Sequence, residues 1–254
     1  MTLHHEVHGP DDAPVLVLSS SLGTSGAMWE PQLPALSERF RVVTYDMRGH
    51  GASPVPPPPY DISDLGTDVV EILDELGVRT ASFCGLSLGG MIGLWLGRHM
   101  PERIERLVLC CTAPHLPPAE AWRERATTVR KAGSTEPIAD AVVGRWLTPA
   151  FAAEHPDIRA WLHAMLTGCD PDGYAACCGV IERLDLRVNL PNITRPTLVI
   201  AAADDPSIPP EHGELIAGAV PDARFELIAD AAHIANVQQP EIFTRLILDH
   251  LEAA

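Results

Sequence analysis

The sequence predicts an α/β protein, a mostly parallel sheet covered by helices on both faces. Three observations point to it. Short apolar runs alternate with helical patterns over residues 15–111 and again over 197–251. Residues 114–193 carry helical patterns and no strand-like run. A glycine-bounded turn at residues 85–90 joins a strand-like run directly to a helix-like one. Strands alternating with helices imply right-handed crossovers, so residues 1–113 and 194–254 are expected to form one core domain. Residues 114–193 are then a helical cap inserted after a strand end, over the edge where α/β sheets bind ligands.

Val15-Leu16-Val17-Leu18 reads as a buried strand, and Arg41–Tyr45 as a second. The run Pro56–Pro59 requires an extended surface loop. Leu65, Val69, Ile72, Leu73 and Leu76 fall on one helical face, and Gly77 stands where a C-cap belongs. Ala81–Cys84 is a third strand, and Leu88–His99 a helix apolar nearly all round, hence buried. Leu107–Cys111 is a fourth strand. The helical patterns that follow carry Trp122, Trp146 and Trp161. Strand texture returns at Thr197–Ala201 and Arg224–Ile228. A last helix starts near Pro240, with Phe243, Leu246, Ile247 and Leu251 as its apolar side.

Composition removes several classes of function. The 254 residues are 46% hydrophobic, too apolar for a solvated chain and enough for a large core. The formal charge of −16 has no concentrated basic face to offset it, which argues against nucleic acid. No apolar run approaches the ~20 residues of a membrane span. Residues 1–14 contain His4, His5, His8, Glu6, Asp11 and Asp12 and no apolar stretch, so no secretory leader is expected and a cytoplasmic location is. The six cysteines include two vicinal pairs, Cys110-Cys111 and Cys177-Cys178, and no C-x-x-C spacing. They read as small buried hydrophobes. On a strand His5 would face away from His4 and His8, so the three do not read as a metal site.

The chemistry gathers at Gly85-Leu86-Ser87-Leu88-Gly89-Gly90. This is G-x-S-x-G between a strand and a helix, the setting in which such a turn lifts a serine hydroxyl above a sheet. Ser87 stands where a dinucleotide loop would need its second glycine, and no Gly-Lys-Ser/Thr follows as a P-loop requires. A serine hydroxyl needs a base, and the base an orienting acid. The order Ser…Asp…His suits this architecture. After the strand Thr197–Ala201 two aspartates compete for the acid, Asp204 and Asp205. His233 alone among eleven histidines follows a late strand by a short loop and precedes the final helix, so it is the expected base. His50, in Asp46-Met47-Arg48-Gly49-His50-Gly51, reads as part of a structural turn near the pocket. Two backbone donors are expected to hold an oxyanion: the N–H of Leu88, and that of Leu22 in the loop Ser20–Gly23. Ser20 is suited to hold that loop in shape.

With these residues in hand, the sequence resembles the α/β-hydrolase superfamily over its whole length, and more closely the 3-oxoadipate enol-lactonases of aromatic-compound catabolism. The resemblance is carried by Ser19–Thr24 with Met28-Trp29, by Asp46–Gly51, by Gly85–Met91 and by Leu109–Ala113. In the expected cap it is carried by Arg145–Phe151 and Gly173–Cys178, and after it by His233–Val237 with Gln239–Glu241. The cap stretches are the more specific, because caps diverge with substrate. The resemblance puts the acid on Asp205, four positions before Pro209-Pro210; Ser20 stands where the family often has Asn. It implies a serine hydrolase that opens a small-molecule lactone and needs neither metal nor organic cofactor. The lactone of this family carries a carboxylate, so Arg123, Arg125, Arg130, Arg145 or the indole of Trp146 is expected to face it. A carboxylesterase with another substrate and a non-catalytic receptor on the same scaffold are the competing readings.

Overall fold

A computed structural model describes residues 2–253. Its centre is a seven-stranded sheet, ordered β1-β3-β2-β4-β5-β6-β7. The strands are β1 His5–His8, β2 Val15–Ser19, β3 Arg41–Tyr45, β4 Ala81–Leu86, β5 Ile104–Cys110, β6 Thr197–Ala202 and β7 Arg224–Ile228. All neighbours run parallel except β1, which is antiparallel to β3. From β2 the chain lays β3 on one side, then crosses back to lay β4 on the other. The C-terminal ends of β2 and β4 therefore flank the switch point where open α/β sheets form their ligand crevice. The register aligns the loops that matter. Ser19 lies opposite Gly85, Leu86 opposite Cys110, Cys110 opposite Ile200, and Ala202 opposite Ile228.

The first helices are α1 Leu33–Leu36, α2 Ile62–Glu75 and α3 Leu88–His99. Asp61 starts α2 with a reciprocal capping box: its side chain accepts from Ser63 N–H at 3.3 Å, and Asp64 accepts from Asp61 N–H at 2.7 Å. The buried face of α2 includes Ile62, Leu65, Val69, Ile72 and Leu73, so the stripe read from the sequence gains Ile62, while Leu76 is the C-cap and only half-buried. Helix α3 is buried from Leu88 to Gly97 and lies on β2, β4 and β5. Strands β4 and β6 are buried at every position. That is the expected state of inner parallel strands covered on both faces.

Between β5 and β6 the chain forms α4 Ala119–Ala132, α5 Glu136–Val143, α6 Pro149–Glu154, α7 Pro156–Thr167 and α8 Pro171–Arg183, and no strand. Helix α4 packs along α8, and α5 on α7. The segment leaves and rejoins the sheet through a narrow neck, where Leu186 N–H donates to Pro114 O at 2.7 Å. The remaining helices are α9 Glu211–Ala219, α10 Ala235–Gln238 and α11 Pro240–Leu251.

Strand β1 and helix α9 are additions to the sequence reading. The residues His5-Glu6-Val7-His8 form a half-exposed edge strand, so no apolar alternation marks them. Gly213 and Gly218 interrupt the helical signal of α9. Among the described residues no helix is long and apolar enough to cross a membrane, and no group of three or more His, Cys, Asp or Glu is arranged to hold a metal ion.

Candidate active site

The turn from β4 into α3 is tight enough to dictate its own sequence. A Cβ on Gly85 would lie 2.2 Å from Gly89 O, and one on Gly89 would lie 2.3 Å from Ser19 O. Neither can exist without moving backbone, so both positions require glycine. Ser87 itself sits at φ +60°, ψ −115°, a conformation unfavourable for any residue with a side chain. The surroundings hold it there. Ser87 N–H donates to Cys110 O at 2.9 Å, and Thr112 Oγ1 donates to Ser87 O at 2.7 Å.

The loop after β2 runs beside this turn. Gly89 N–H donates to Ser20 O at 3.1 Å, and Ser20 Oγ closes the loop by donating to Ser25 O at 3.0 Å. Gly23 N–H donates to His50 Nε2 at 3.0 Å, while His50 Nδ1 lies 3.1 Å from Arg48 O. The two contacts fix the tautomer: Nδ1 carries the proton and Nε2 accepts. Burial lowers the pKa of His50, which keeps the ring neutral and the acceptor available. Sequence reading put His50 near the pocket but missed this bond, which steadies the residue next to Leu22. Among the described residues nothing accepts from the N–H of Leu22 or of Leu88, whereas Ser21, Gly23 and Gly89 are all engaged. Those two N–H groups are free to act on a bound oxygen.

His233 follows β7 and Asp205 follows β6. His233 Nδ1 lies 2.7 Å from Asp205 Oδ2. The other carboxylate oxygen, Oδ1, accepts from Ser207 N–H at 2.8 Å and Ile208 N–H at 3.0 Å. Asp205 and His233 are both 3% exposed, whereas Asp204 is exposed. The geometry thus separates two aspartates that the pattern alone left in competition. With Nδ1 taken by Asp205, His233 presents Nε2 to the pocket.

Ser87, His233 and Leu22 line one cavity of about 180 Å³ under the helices, together with Arg125, Arg145, Trp146 and Tyr174. That is smaller than the ~300–1,000 Å³ of drug-sized sites and suits a compact substrate. Arg125 stacks over the Trp122 ring at 4.5 Å. Among the described residues neither Arg125 nor Arg145 has an acidic partner within salt-bridge distance. Burial lowers the pKa of Arg145, and the like charge of Arg125 adds to the effect. Two guanidinium groups without a carboxylate partner give this pocket a local positive charge suited to an anion.

Two of the expected arginines lie elsewhere. Arg123 and Arg130 line a different groove, between α4 and α8. Arg123 pairs with Glu182 at 2.7 Å, and Arg130 lies 3.9 Å from Asp172. The reason is helical geometry: Arg123 and Arg130 share one face of α4, and Arg125 shares another with Trp122. Arg130 therefore lies outside the Ser87 cavity, which Arg125 and Arg145 line. All six cysteines are buried, and burial pushes the thiols of Cys169 and Cys178 up to about 12, far from thiolate reactivity.

The sheet order, the strained serine turn and the loops after β6 and β7 define a protein class. Residues 14–160 and 170–240 match the family model described as the alpha/beta hydrolase fold, and the chain belongs to that family. Within it, the chain is 40% identical over 247 residues to 3-oxoadipate enol-lactonase 2 of Acinetobacter baylyi, covering 97% of this chain and 92% of the relative. The crystal structure of the enol-lactonase from Burkholderia xenovorans LB400 superposes with a TM-score of 0.97 at 40% identity, covering 99% of this chain and 96% of that one. A hydrolase from Pseudomonas aeruginosa is 44% identical with a TM-score of 0.95, covering 98% and 94% of the two chains.

Proposed function

We propose that the protein is a serine hydrolase that opens 3-oxoadipate enol-lactone to 3-oxoadipate, with Ser87, His233 and Asp205 as its catalytic triad and residues 114–193 as its cap. The observation that carries the reading is one pocket in which a serine and a histidine backed by a buried aspartate face two unneutralised arginines. The similarity to enol-lactonases over nearly the whole chain supports the same substrate. The compact cavity and the similarity to enol-lactonases support a small-molecule lactone as substrate, and the reading puts the reaction in the cytoplasm.

The chemistry follows from the donors and acceptors. Ser87 Oγ attacks the lactone carbonyl while His233 Nε2 takes its proton. Asp205 holds the Nδ1–H and stabilises the imidazolium that forms. The carbonyl oxygen gathers negative charge against the N–H groups of Leu22 and Leu88, at the N-terminus of α3. Ring opening expels an enolate rather than an alkoxide, a better leaving group that becomes a ketone once protonated. Water, deprotonated by His233, then cleaves the acyl-enzyme. Arg125 and Arg145, beside Trp146, hold the substrate carboxylate by charge-assisted hydrogen bonds.

The test is turnover of 3-oxoadipate enol-lactone by the wild type and by Ser87→Ala, beside p-nitrophenyl acetate. Rapid lactone opening that the substitution abolishes is the expected result. Rapid ester cleavage with an inert lactone would instead leave an esterase. No turnover of either, with no labelling of Ser87 by a serine-directed phosphonate, would leave a receptor.

A further inference from the structure

Tyr174, in the first turns of α8, is fully buried and lines the Ser87 pocket. Its hydroxyl is buried with no acceptor for its proton among the described residues, and the side chain that acts on its oxygen, Arg125, can only donate. A phenol held this way has lost water and keeps a proton with no acceptor, which a fold does not tolerate cheaply unless a ligand completes the bond. The surroundings say where that ligand atom lies. The ring edge abuts the oxyanion loop, since a Cβ on Gly23 would stand 3.3 Å from Tyr174 Cε2. The cation acting on the phenol is Arg125, and Arg145 lines the same cavity. Tyr174 thus spans the interval between the loop that faces the reacting carbonyl and the arginines that face the carboxylate.

We propose that the Tyr174 hydroxyl donates a hydrogen bond to the leaving oxygen of the substrate. This rests on the lactone reading above and adds a catalytic residue to it. In the enol-lactone the path from the reacting carbonyl carbon to the carboxylate passes through the ring oxygen, the one acceptor between the two ends. That oxygen is the leaving atom. As the Ser87 Oγ–carbon bond forms and the ring carbon–oxygen bond breaks, the electron pair stays on the ring oxygen as an enolate. Tyr174 keeps its own proton, because burial raises its pKa, and its O–H holds the enolate charge. The proton taken from Ser87 returns to the enolate from His233, and the ketone results. Donors aimed at charge that appears only in the transition state raise kcat rather than lower KM.

The experiment compares Tyr174→Phe with the wild type on 3-oxoadipate enol-lactone and on p-nitrophenyl acetate, with thermal unfolding of both proteins. The acetate has a weakly basic leaving group and no carboxylate to bring its leaving oxygen beneath Tyr174. The expected result is a fall of about tenfold to a hundredfold in kcat for the lactone with KM little changed, the size expected for one lost hydrogen bond to a charged oxygen. Acetate hydrolysis stays within about twofold, and Tm changes little, since no protein acceptor loses a bond. Equal losses on both substrates, a rise in KM alone, or no change overturns the proposal. A wild type inert toward the lactone overturns the substrate reading itself, and does so before the variant is measured.

Discussion

Asp205 Oδ2 lies 2.7 Å from His233 Nδ1, and the same carboxylate accepts two backbone N–H bonds on its other oxygen. The second pair of bonds fixes the carboxylate, and the carboxylate fixes the ring. Asp205→Asn is isosteric but presents an amide where His233 needs an acceptor. It is expected to lower kcat by about a thousandfold to ten-thousandfold with little change in KM. Asp204→Asn, at the exposed neighbour, is expected to leave steady-state rates near those of the wild type.

Arg125 and Arg145 face the pocket, and Arg130 does not. Arg125→Met and Arg145→Met are each expected to raise KM for the enol-lactone by about tenfold or more, the loss of one charge-assisted hydrogen bond. KM for the neutral methyl ester of the same lactone should hardly move. Arg130→Met serves as the control and should leave both constants unchanged. A shift of acid and ester in the same ratio would remove the carboxylate role.

His50 holds the loop Ser20–Gly23 through an acceptor nitrogen. His50→Leu removes the acceptor and should lower kcat by about tenfold, the worth of one hydrogen bond. His50→Gln offers an oxygen at a similar reach and should recover most of the rate. Kinetics of the two variants, with unfolding midpoints to check the fold, decide the point.

His250 is buried on α11, and burial lowers its pKa to about 4, with Arg106 and Arg224 contributing. The unfolded chain binds this proton near pH 6.5 and the folded chain only near 4. Unfolded protein therefore binds more protons in that window, so stability is full above it and is lost as pH falls through it. Thermal unfolding between pH 7 and 5 should show Tm falling in the wild type and falling less in His250→Phe.

The parts of the site that sequence made legible are those where backbone geometry leaves no choice of residue. The turn at Ser87 needs glycine at 85 and 89, so the motif singles out Ser87 as the proposed nucleophile. His233 was legible because a loop between a strand and the last helix has one histidine in it. Asp205 and Asp204 have the same chemistry and differ only in which one turns inward, a tertiary fact for which the resemblance supplied the answer. The choice between Arg125 and Arg130 also depended on which face of α4 meets the pocket. Heptad spacing ties Arg130 to Arg123 and would have grouped them, though not oriented the group. Tyr174 was visible within a stretch shared with the enol-lactonases, but an orphaned hydroxyl has no sequence signature.

The loop that carries His233 is fastened to the helices above it. Gln238 Oε1 accepts from Ala232 N–H at 3.1 Å and from Thr148 N–H at 3.2 Å, and its amide donates to Thr148 Oγ1 at 2.6 Å. Ile234 N–H donates to Trp146 O at 2.9 Å. Any swing of Trp146 and Thr148 away from the sheet therefore either breaks these ties or moves the loop that carries His233. On the proposed reading, entry and reaction are interlocked, as in a machine whose guard must be shut before the blade will turn: a gaping pocket is a disarmed one.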